Sequence, residues 1–72
     1  MADDENDDLR RAEEHVLEGR RIVQMQKGLI IRLRSAGADT WDSERTLRTL
    51  ELNLKRFEEH RDYIKRKSRS ST

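Results

Sequence analysis

The chain has 72 residues, 43% of them charged, with no Pro, no Cys and a formal net charge of +1. A length of this order allows one small domain with a thin core, and without Cys neither a disulfide nor a thiolate metal site can reinforce it. The absence of Pro, with heavy use of Leu, Glu and Arg, favours long solvated helices over strands.

Residues 1–7 contain Asp3, Asp4, Glu5 and Asp7 and almost nothing apolar, so they are expected to form a disordered acidic head. Acids and arginines over residues 1–20 do not suit a signal peptide. The longest apolar run, Leu29-Ile30-Ile31, cannot span a bilayer, and the expected location is the cytoplasm.

A helical period runs from about residue 8 to 35. Leu9, Ala12, Val16, Gly19, Val23, Gln26, Ile30 and Leu33 alternate three and four apart, with His15, Ile22 and Leu29 on the next row. That is a face three positions in seven wide, which suits a bundle better than a two-stranded coiled coil. Leu17 and Ile31 are apolar groups on the flank of the same helix.

Residues 36–40 combine stop and start signals. Gly37 can take the left-handed conformation that ends a helix, and Asp39 or Thr40 offers a side-chain oxygen to the first free N–H groups of the next one. The second helix is expected over about 41–66, with Ser43, Leu47, Leu50, Leu54, Phe57, Arg61 and Ile64 in heptad spacing and a polar flanking row of Thr46, Asn53 and His60. Glu44 with Arg48, Glu51 with Lys55 and Asp62 with Arg66 stand four apart, the spacing of exposed helix ion pairs. Residues 67–72 form a basic, Ser-rich tail that is expected to be disordered.

The predicted fold is all-α: an antiparallel helical hairpin of two long helices. Two helices alone leave the broad face of the first in water, so the hairpin is expected to homodimerise into a four-helix bundle. The expected interface draws on Val16, Leu17, Gly19, Ile22, Val23, Gln26, Leu29, Ile30, Ile31, Leu33, Trp41, Leu47, Leu50, Leu54, Phe57 and Ile64. Gly19 on a packed face predicts a close approach, with the Phe57 ring over it. Gln26 and Asn53 are amides of the kind that fix register and partner number. Trp41 is expected to staple the hairpin tip over Leu33, with an anchor for a partner as the alternative.

Few residues carry chemistry. Centring the turn near Gly37 and Ala38 sets His15 opposite His60, with Glu14, Glu18 and Glu59 nearby. This is the one pair that suggests a metal, but it lacks His-x-x-x-His and Glu-x-x-His spacing, so a histidine layer is the expected reading and no metal or cofactor is assigned. His60-Arg61-Asp62 spells a kinase catalytic triplet, but without a Gly-rich loop or room for that fold. No catalytic residues are assigned and an enzyme is not expected. The reading is a protein–protein interaction module. The alternative is weak nucleic-acid binding through the basic tail and the helix arginines, which acids interleave almost one for one.

The set His15, Gly19, Ile22, Gln26, Leu33, Gly37, Asp39-Thr40, Leu47, Leu50 and His60-Arg61 resembles a group of short uncharacterised alphaproteobacterial helical-hairpin proteins, over about residues 12–62. His15, Gly19 and Gln26 are its distinctive part. The resemblance implies a bacterial cytoplasmic hairpin and brings no activity or cofactor with it.

Overall fold

In the computed structural model, which describes residues 2–70 and the side chains of residues 7–68, two α-helices are joined by a five-residue turn: α1 is Ala2–Ser35 and α2 is Trp41–Ser70. They pack side by side and antiparallel along their length. The result is a ribbon of 56 × 15 × 12 Å. Its Cα radius of gyration is 16.5 Å, against about 11 Å for a compact domain of this length.

The turn closes by local hydrogen bonds. Gly37 has φ 74°, and around it Ala38 N–H donates to Leu33 C=O at 2.9 Å while Gly37 N–H donates to Arg34 C=O at 3.0 Å. These are the two bonds of a Schellman motif, in which only Gly takes the left-handed position without a Cβ clash. Of the two residues expected to start α2, Asp39 supplies the side-chain cap. Its Oδ1 accepts from Trp41 N–H at 3.0 Å, while the Thr40 carbonyl accepts the first helical bond from Glu44 N–H at 2.8 Å. Thr40 is thus the N-cap residue by its carbonyl, and Asp39, one residue earlier, satisfies the first helical N–H through an Asx turn.

Both helices run further than the sequence suggests. The head expected to be disordered is helical over residues 2–7, and the tail is helical over 67–70; Met1, Ser71 and Thr72 lie outside the described residues. Low apolar content argued for irregular chain, yet nothing in either segment breaks a helix. Acids at the start of α1 and bases at the end of α2 also complement the helix dipole, each by about 0.3–1 kcal/mol.

The core is a single seam, and it is lopsided. Among the described residues the buried side chains are Ala12, Val16, Val23 and Ile30, all on α1. From α2, Leu47, Leu50, Leu54 and Ile64 are half-buried. Leu54 and Phe57 of α2 settle close to α1 at Gly19. A Cβ there would lie 3.1 Å from Leu54 Cδ1 and 3.6 Å from Phe57 Cδ2. Phe57 does flank Gly19 as expected, but Leu54 sits closer. No helix among the described residues is long and apolar enough to cross a membrane.

Candidate interaction surface

The heptad rows sort the molecule into an inner seam and two broad faces. Of the residues expected at an interface, Val16, Val23 and Ile30 are buried between the arms, joined by Ala12. Gly19, Gln26, Leu33, Leu47, Leu50, Leu54 and Ile64 are half-buried in or beside the same seam. Leu17, Ile22, Leu29, Ile31, Trp41 and Phe57 remain exposed. The hairpin therefore uses the inner row for its own closure and leaves the flanking rows in water.

Gln26 faces inward. Its Nε2 donates to the Ser43 carbonyl at 2.8 Å in a partly buried position. Ser43 lies in the first turn of α2, so this bond ties the middle of α1 to the start of α2. An amide here has a partner only when the arms hold this register.

Trp41 is 58% exposed, with the Arg45 guanidinium 5.1 Å from the centre of its ring. Because backbone bonds and Asp39 already close the tip, the indole is left to cover its own helix one turn on. A cation over an indole face contributes about 0.5–1 kcal/mol at an exposed site.

His15 and His60 line one cleft of about 400 Å³ at the open end of the ribbon, with Arg11, Tyr63, Ile64 and Lys67 around them. The His15 ring is tilted on Phe57 with a centroid distance of 5.3 Å. Among the described residues, no three His or carboxylate groups gather as metal ligands. The cleft mixes cations and imidazoles with the Asp8 carboxylate, the Ser68 hydroxyl and the apolar side chains of Ala12 and Ile64.

Sequence reasoning along each helix missed the ion pairs across the hairpin. Arg20 Nη2 donates to Glu58 Oε2 at 3.1 Å, and Arg34 pairs with Glu44. Glu44 thus turns across to α1 instead of along α2 to Arg48, and Asp62 pairs with its neighbour Arg61 at 3.0 Å. The signal was present in the row next to the seam: Glu13, Arg20, Lys27 and Arg34 on α1 run against Lys65, Glu58, Glu51 and Glu44 on α2. The sequence sets opposite charges at each of these levels, and the pairs form at Arg20–Glu58 and Arg34–Glu44, an arrangement that in an antiparallel pair favours one orientation and register.

These pairs also bear on nucleic acid. Arg10 (to Asp7, 2.6 Å), Arg20, Arg34 and Arg61 each engage a carboxylate, so these arginines do not form an open phosphate-tracking stripe of the kind that backbone binding needs. No family model, curated protein or solved structure matches the chain.

Proposed function

We propose that the chain is a non-enzymatic protein–protein interaction module: a helical hairpin that homodimerises into a four-helix bundle and offers its charged outer surfaces to a protein partner. The observation that carries this reading is the surface the hairpin leaves open. The accessible area is 5902 Å², against about 4,700 Å² for a folded monomer of this mass. Part of the excess is apolar, with Leu17, Ile22, Met25, Leu29, Ile31 and Leu52 between 36% and 66% exposed. A core of four buried side chains among the described residues is thin for an independent domain, and a second copy is the usual remedy.

The test is the native mass across a concentration series, by light scattering after size exclusion, in low and high salt. The expected result at tens of micromolar is twice the 8.6 kDa of one chain, held in high salt because apolar contact is not screened. A single-chain mass throughout that range would refute the dimer.

A further inference from the structure

The two broad faces of the ribbon differ in kind. One carries the crossed charges, with Arg20–Glu58 and Arg34–Glu44 formed. Its row next to the seam is charged at every position, and Leu17 and Ile31, 65% and 64% exposed, lie further out on its flank. The other carries His15, Ile22 and Leu29 from α1 opposite His60, Asn53 and Thr46 from α2. None of these six has a fixed charge, and Ile22 and Leu29 are 38% and 36% exposed, with Phe57 at 37% beside them.

We propose that this second face is closed by the same face of a second copy, through a two-fold axis perpendicular to the helices at the level of Ile22 and Asn53. The inference rests on the self-association proposed above, and adds which face is used and how it is turned. With the axis there, Ile22 meets the partner's Ile22, and Asn53 meets the partner's Asn53, an amide pair in which each can donate and accept. Leu29 lies at the level of the partner's His15, and His60 at that of the partner's Thr46. At the ends, Lys67 comes level with the partner's Asp39, and Tyr63 with the partner's Asp42. The one like-charged meeting on these rows, Arg11 with the partner's Arg32, falls on the outer flank in water, where screening is strong.

An axis parallel to the helices would instead set Ile22 and Leu29 on the partner's Asn53 and Thr46. That would bury amide and hydroxyl groups against methyls with nothing to bond. The area also fits. The ribbon's 56 × 15 Å outline gives a face of about 840 Å², against about 800 Å² per partner in a stable interface.

The chain has no Cys, so one engineered thiol reports the axis. Ile22→Cys is expected to form a disulfide-linked dimer under mild oxidation, while Leu17→Cys, on the flank of the charged face, stays a free thiol with only background cross-linking. In parallel, Ile22→Arg is expected to keep its helical circular dichroism while its dimer dissociation constant rises about a hundredfold or more, since like charges then meet on the axis. A two-chain mass with no Ile22→Cys cross-link, or with cross-linking through Leu17→Cys instead, overturns this face and axis but leaves self-association standing. An Ile22→Arg variant that dimerises as tightly as the parent overturns them as well. A parent chain of single-chain mass removes both proposals together.

Discussion

Gly19 allows the packing of the seam to be tested with opposite expected signs at one position. Replacing a helical Gly by Ala gains about 0.8–1 kcal/mol of helix propensity where space is free. Gly28 is such a place, with nothing within 4 Å of an added Cβ, so Gly28→Ala should raise the melting temperature by about 4–8 °C. At Gly19 the same methyl would lie 3.1 Å from Leu54 Cδ1, and the leucine tip must move by a few tenths of an ångström. Leu54 is only half-buried, so its tip can swing outward at a cost below the propensity gain. Gly19→Ala should therefore stabilise by about half as much as Gly28→Ala. Gly19→Leu adds three more carbons between Leu54 and Phe57, an overpacking that costs about 1–3 kcal/mol. Set against the propensity gain, it should lower the melting temperature by several degrees, or about 10 °C at the upper end. Thermal melts followed at 222 nm, on matched protein concentrations, measure all three. If Gly19→Leu melts at or above the parent, the seam is not close-packed at Gly19 and the reasoning fails.

Two further substitutions address register. Gln26→Leu exchanges an amide bonded to a carbonyl that already serves its own helix for an apolar group of similar size. It should raise stability by about 1 kcal/mol while broadening the distribution of masses seen by light scattering; a single unchanged mass would show that Gln26 does not select the assembly. Reversing one charge, Arg20→Glu or Glu58→Arg, should destabilise, and the double reversal should recover most of the loss. The coupling is expected at about 0.2–1 kcal/mol, because both side chains are partly in water; a coupling of zero would leave the crossed charges without an energetic role in register.

How much of this was legible depends on which neighbours a residue has. The inner rows were readable because heptad spacing names them whatever the partner, and the same spacing set His15 and His60 on one cleft. The positive φ of Gly37 and the Asp39 cap were readable from local chemistry alone. The pairs Arg20–Glu58 and Arg34–Glu44 were not, because the four-apart rule looks along a helix, and only the antiparallel alignment brings these residues together. The Arg45 guanidinium over the Trp41 ring was also not foreseen, because an indole beside a turn suggests partners across that turn and not one turn on along its own helix. The helix ends went wrong because composition weighed against order, while dipole complementarity acts on arrangement.

The bonds at the tip span only residues 33–38 and 39–41, so the bend can form before any contact between the arms. The arms can then close from the turn outward, each level shortening the loop to the next, a low-contact-order route expected to take microseconds to milliseconds. Exchange of arms between two chains would require straightening the bend, giving up both Schellman bonds and the Asp39 cap. In the proposed dimer each chain would therefore close its own hairpin before meeting a second, and refolding should then show a fast unimolecular phase followed by a concentration-dependent one.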